Sequence, residues 1–190
     1  KMKKSVLAII LAFFATSLSF ASNSFGDPPN IIWNIVHGTV NEDYIQDIVA
    51  DDNFVYVTGL TSSGVDFDFL ISCYDSDGNL QWEKFYDSGY NDEAYSIAMD
   101  ENFIYVTGLS HNGTNSDFRT ICYDKDANLQ WNKVYDAGNT ESANCIAVDE
   151  NLVYITGYST TGTNSNFMTL SYDKEGHLEW IMFYDTSNTD

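Results

Sequence analysis

The sequence predicts an all-β chain made of one repeated unit, a four-stranded antiparallel meander that occurs three times with a 49-residue period. Three observations predict it. Trp33, Trp82, Trp131 and Trp180 stand at that spacing. The strings FVYVTGL (54–60), FIYVTGL (103–109) and LVYITGY (152–158) keep its register, as do YDSDGNLQW, YDKDANLQW and YDKEGHLEW. Within the unit, apolar residues follow a period of 2 rather than 3.6, the mark of strands. Recurrence at fixed spacing without insertion means that one supersecondary unit has been copied.

The N-terminus reads KMKKS, then an apolar run from Val6 to Phe20, then Ser19-Phe20-Ala21 before polar residues. This is the pattern of a secretory signal peptide, a helix over residues 1–21 with cleavage after Ala21. Residues 22–42 form a linker that carries a lone outer strand over 31–36, one period before the first complete outer strand. The three units then occupy 43–91, 92–140 and 141–190.

In the first unit the expected strands are Tyr44–Ala50, Phe54–Leu60, Phe67–Tyr74 and Leu80–Tyr86. In the second of these both alternating sets, Phe54, Tyr56 and Thr58 against Val55, Val57 and Gly59, are largely apolar, so it is expected to be buried on two sides. Two linkers read as tight hairpin turns: Asp51-Asp52-Asn53 with its copies, and the Asp75-Ser76-Asp77-Gly78-Asn79 type. Asn and Gly are expected to supply the positive φ that such turns use. Ala127 replaces Gly in the second copy, which hands that conformation to Asn128.

A four-stranded meander of this length, buried on both faces and repeated, is the unit of a β-propeller. The repeated Trp then belongs to the outermost strand and fills the wedge between neighbouring blades, a structural role for Trp33, Trp82, Trp131 and Trp180. Three complete units and one lone strand make an open partial propeller, expected either as a fragment of a longer propeller or as copies that complete a ring together. The strings AMDENFIYVTGLS and DFRTICYDKDANLQW, with their copies, resemble the seven-bladed β-propeller repeat (SBBP) family over residues 43–186. That resemblance implies the propeller fold and a secreted or surface protein of bacteria or archaea, and it carries over no catalytic residue.

Charge narrows the partners. Eight Lys and Arg stand against 28 Asp and Glu, a net charge of −20, and three of the eight leave with residues 1–21. The remaining basic residues are scattered, so neither nucleic acid nor an anionic membrane surface is an expected partner. Cys73, Cys122 and Cys145 are expected to be unpaired, because Cys73 and Cys122 hold the same register in adjacent units.

No catalytic constellation is visible. His37, His111 and His177 have no repeated partner and no zinc-ligand spacing. The run Gly108-Leu109-Ser110-His111-Asn112 falls short of a nucleophile elbow, which needs a strand-to-helix turn. No cofactor is expected; weak Ca2+ binding by the Asp75–Asn79 type of turn stands against the simpler reading as an Asx-type hairpin turn.

The longer loops lie on the rim opposite those two turns, and rigid scaffolds bind through such loops. Tyr90, Asp92, Glu93, Asn112, Asn115, Asn139 and Glu141 are the candidate binding residues there. Their hydrogen-bonding groups suit an extracellular glycan or protein. The expected function is therefore an exported, noncatalytic module for binding, adhesion or scaffolding, whether secreted, periplasmic or on the cell surface. The alternative is part of a propeller enzyme acting on polysaccharide or a quinone-dependent substrate.

Overall fold

A computed structural model describes Trp33, Asn34 and residues 42–184. The expected signal peptide lies outside the described residues, as does most of the lone strand at 31–36; Trp33 and Asn34 are not in a strand. The rest is all β, in three four-stranded antiparallel sheets with strands in chain order. The first contains β1 (Asp43–Ala50), β2 (Phe54–Ser62), β3 (Phe67–Asp75) and β4 (Leu80–Tyr86). The second contains β5 (Asp92–Met99), β6 (Phe103–His111), β7 (Ser116–Asp124) and β8 (Leu129–Tyr135). The third contains β9 (Thr140–Val148), β10 (Leu152–Thr161), β11 (Asn164–Asp173) and β12 (Leu178–Tyr184).

The central strands β2, β3, β6 and β7 are buried on both faces along most of their length. Successive sheets share their cores. Tyr56, Phe69 and Ile71 of the first sheet pack with Ala94, Ile97, Ile104 and Ile121 of the second. Tyr105, Phe118 and Cys122 of the second pack with Ile146, Ile155, Met168 and Leu170 of the third. The first strand of each later sheet lies on the sheet before it, β5 against β1, β2 and β3, and β9 against β5, β6 and β7. These three packed meanders are compatible with propeller-like blades, and they do not form a closed barrel.

The recurring Thr-Gly pair explains how the sheets are shaped. In each first strand the register slips by one residue, between Ile45 and Asp47, Ala94 and Ser96, and beside Gly157. The bulge drives a carbonyl against the glycine of the neighbouring strand: a Cβ on Gly59 would lie 1.8 Å from the Tyr44 oxygen, on Gly108 1.9 Å from that of Glu93, and on Gly157 2.0 Å from that of Ser142. No side chain fits there, so the glycine is the condition for the bulge. The adjoining threonine hydroxyl crosses to the next strand, Thr58 Oγ1 to Leu70 O at 2.9 Å and Thr107 Oγ1 to Arg119 O at 2.9 Å.

The hairpin turns form where expected but not by the expected backbone. In the first turn Asp51 N donates to Phe54 O at 3.0 Å, while Asp51 Oδ1 accepts from the amides of Asn53 and Phe54. The carboxylate satisfies the turn's amides directly, so Asn53 needs no left-handed conformation. In the third turn Gly78 and Gly176 take φ of 86° and 82°, and Ala127, not Asn128, takes the same conformation at 66°. The closing pair Asp124 N to Asn128 O fixes which residue must bend, so side-chain preference does not move it. The three cysteines are unpaired, Cys73 and Cys122 buried and Cys145 exposed.

Candidate functional site

One rim of the array holds the β1–β2 and β3–β4 turns and is cross-linked between sheets. Lys125 Nζ lies 2.8 Å from Asp51 Oδ2, and Lys174 Nζ lies 2.9 Å from Asp100 Oδ2. Burial opposes ionisation of Asp100, but Lys174, the Asn102 and Phe103 amides and the Tyr105 hydroxyl outweigh it and hold the carboxyl below its ordinary range. The turn acids are occupied in the same way. Asp75 Oδ1 accepts from the amides of Asp77 and Asn79 at 2.9 Å each, and Asp75 Oδ2 from Gln81 Nε2 at 2.9 Å. The same pattern recurs at Asp124 and Asp173. With their lone pairs engaged by N–H groups, these turns are Asx-type hairpins.

The opposite rim differs. There the β2–β3 loop of one sheet meets the linker to the next, and each meeting gathers three carboxylates. Asp68, Asp87 and Asp92 place one oxygen each within 4.8 Å of the others, and so do Asp117, Asp136 and Glu141. The two groups occupy equivalent registers of the repeat. Asp87 and Asp136 are exposed at the mouth, whereas Asp92 and Glu141 are 0 % exposed, Asp117 4 % and Asp68 9 %. The fold carries these acids inward because β3 and β7 are buried on both faces at their first turns of pleat, and because β5 and β9 begin beneath the linker.

The oxygens of Asp68, Asp92 and Asp117 are only partly satisfied, whereas both oxygens of Glu141 accept, Oε2 from Ala137 N at 3.3 Å. Asp92 Oδ2 accepts from Ser88 N at 2.6 Å, Asp117 Oδ2 from Asn112 Nδ2 at 2.9 Å, and Glu141 Oε1 from Ser159 Oγ at 2.9 Å. Asp68 Oδ1, Asp92 Oδ1 and Asp117 Oδ1 are buried without a hydrogen-bond partner. Burial, then the charges of Asp87, Asp66 and Asp92, push the Asp68 carboxyl up to about 6. Burial likewise raises Asp92 against the opposing hydrogen bonds from Ser110 and Ser88, and raises Asp117 against that from Asn112. For two full charges ~4.8 Å apart at an effective dielectric of ~20, the repulsion is about 3 kcal/mol. Among the described residues no Lys or Arg forms an ion pair with any of the six. Arg119, which stands where the other repeats have Leu70 and Met168, lies over the Tyr86 ring at 4.6 Å and donates to Asn132 Oδ1 at 3.0 Å.

The expected binding residues divide accordingly. Asn115, Asn139 and Glu141 meet at the second junction, where Asn115 Nδ2 donates to the Asn139 carbonyl. Asn115 and Asn139 line an open hollow of about 440 Å³ together with Thr114, Asp136, Thr140 and Thr160. Asn112 is held in its own turn, its Oδ1 accepting from the amides of Thr114 and Asn115. Tyr90 is exposed and sits on His111, ring centroids 5.6 Å apart. Glu93 faces its own strand, accepting from Tyr95 Oη at 2.6 Å. Asp92 and Glu141, read as available loop groups, are interior, because each opens a first strand that the preceding sheet covers. The acids that sequence reasoning missed, Asp68, Asp87, Asp117 and Asp136, carried one signal: Asp68 recurs as Asp117 at the start of the third strand, with Asn166 in the last unit, and Asp87 recurs as Asp136 after an outer-strand Tyr. No protein-family model matches the chain, and no curated protein matches it significantly.

Proposed function

We propose that this chain is an exported, noncatalytic repeat module of β-propeller type, resembling the seven-bladed β-propeller repeat family, that binds an extracellular glycan or protein or serves adhesion or scaffolding through its loop rim. The observation that carries the proposal is the junction itself. Each meeting of two sheets presents the same polar and acidic groups, Asp87 with Asp92 and Asp136 with Glu141, where a catalytic centre draws unlike residues from different units into one place. The hollow beside Asn115 and Asn139 is lined by amides and hydroxyls, which suits hydrogen bonding to a hydroxylated or peptide ligand.

The propeller form and its openness rest on a comparison of equivalent residues. Phe118 and Trp131 of the second sheet are 1 % and 7 % exposed, while Phe167 and Trp180 of the third are 69 % and 38 % exposed. The face that each earlier sheet turns to its successor is bare on the third, and we read it as the seat of another unit of the same kind, from this or a further chain. A glycan array probed with the purified chain tests the binding reading. Retention of a defined glycan class that is lost in Asn115→Ala with Asn139→Ala supports it; retention unchanged in that variant removes the rim from the binding site.

A further inference from the structure

We propose that each junction between successive sheets is a Ca2+ site, the first held by Asp68, Asp87 and Asp92 and the second by Asp117, Asp136 and Glu141. Three carboxylate oxygens no more than 4.8 Å from one another all lie within about 2.8 Å of a common point, a few tenths of an ångström from the Ca–O length of about 2.4 Å. The ligand set is entirely oxygen, with neither His nor Cys in either group, which selects a hard cation over a transition metal.

Proximity of acids alone does not make a site; the orphaned atoms do. Asp68 is 9 % exposed, has no hydrogen-bond partner for its buried Oδ1, and points that carboxylate into the group with Asp87 and Asp92. Asp92 Oδ1 and Asp117 Oδ1 are buried and unpartnered in the same way. Buried polar atoms are ordinarily paired with protein, water or an ion. The single Arg119 charge acts on both Asp92 and Asp117 without bonding either, which leaves most of the six carboxylates' charge for a cation from solution. At the second junction the neighbouring hollow of about 440 Å³ has room for the waters that complete the six to eight ligands calcium takes. Mg2+ fits less well, since it holds a near-ideal octahedron and dehydrates reluctantly. The repeat doubles the argument: in two independent copies the acid at each of three registers is kept, with Glu141 in place of Asp92.

Occupation would also serve the fold. Each site joins the start of the third strand of one sheet to the linker and first strand of the next, so the ion would tie successive sheets on the rim opposite the Lys cross-links. The opposite rim already has Lys125 to Asp51 and Lys174 to Asp100.

The test is isothermal titration of the chain with CaCl2 alone and with MgCl2 alone, after treatment with a chelator. The expected result is saturation at one Ca2+ per junction, with Mg2+ at least about tenfold weaker. Asp92→Asn with Glu141→Gln should weaken Ca2+ by about tenfold or more. Should that variant fold poorly, Asp87→Asn with Asp136→Asn alters only the exposed mouth and should give the same loss. Absence of saturable Ca2+ binding, binding of undiminished strength in a folded variant, or equal affinity for Mg2+, as diffuse screening of an acidic rim would give, overturns the proposal.

Discussion

The indole Nε1 of Trp131 donates to the backbone carbonyl of Lys174, 43 residues further along, at 2.9 Å. Trp82 makes the same bond to Lys125 O at 3.1 Å, and Trp33 to Ser76 O at 3.1 Å. The Trp82 and Trp131 rings thus reach out of their own sheets and cap the third turn of the next. Trp131 lies between Tyr105 of its own sheet and Tyr172 of the next, with centroids 5.9 and 5.8 Å away. The acceptor is the second residue of the turn whose fourth is Gly176, and a Cβ on that glycine would lie 2.9 Å from the Trp131 ring. One residue therefore packs on both its own sheet and a turn far away in sequence, leaving room at that turn for Gly176 or, beneath Trp82, for no more than the methyl of Ala127.

Trp131→Ala should destabilise the chain by about 3 to 5 kcal/mol, the range for truncating a buried aromatic. Trp131→Phe keeps most of the ring but leaves the Lys174 carbonyl without its donor, a loss of about 1 kcal/mol. Trp180→Ala, at a ring 38 % exposed, should change stability by less than about 1 kcal/mol. Urea unfolding of the three variants checks the order.

Gly108→Ala should be among the most damaging single methyl additions possible here, about 3 kcal/mol or more, because the new Cβ would meet the Glu93 oxygen at 1.9 Å and backbone cannot move aside cheaply. Gly138→Ala is the control: open space surrounds it, and only its φ of 82° is unfavourable, at about 1 to 2 kcal/mol. Equal losses in the two variants, measured by denaturant midpoint, would contradict the bulge as the reason for Thr-Gly.

Acid should loosen the turn rim. The Asp100 carboxyl is held below its ordinary value in the fold, so it stabilises the fold above the unfolded-state value of about 4, and that stabilisation disappears as pH falls through the lowered folded value. Lys174→Met removes one of the groups that lowers it. The variant should have the lower urea midpoint at pH 7, and the gap to the parent chain should close as pH falls below about 4.

The bare third sheet should promote association. Phe167, Met182 and Tyr184 share one face of the third sheet and are 69, 64 and 64 % exposed, and an apolar face of that kind draws other surfaces to it. Light scattering should show mass rising with concentration in the micromolar range, and Phe167→Glu with Met182→Glu should reduce it. A monomer at every concentration would contradict the expectation.

The sequence by itself determined the strands, their order and the place of every turn, because these follow from short-range signals copied three times: period-2 alternation, Asp and Gly at the turns, one Trp per unit. Repetition also marked the Trp of each unit as the residue between neighbouring sheets, where Trp82 and Trp131 are found. Tertiary structure decided what depends on two units at once. Ala127 rather than Asn128 bends backwards because the pairing of Asp124 with Asn128 leaves the chain no other way to close. Asp92 and Glu141 look like loop acids in the sequence, yet they are buried, for a linker residue is exposed or hidden according to how the preceding sheet covers it. The acid groups Asp68, Asp87, Asp92 and Asp117, Asp136, Glu141 exist only where a loop of one sheet comes down on the linker to the next, and no local pattern records that meeting.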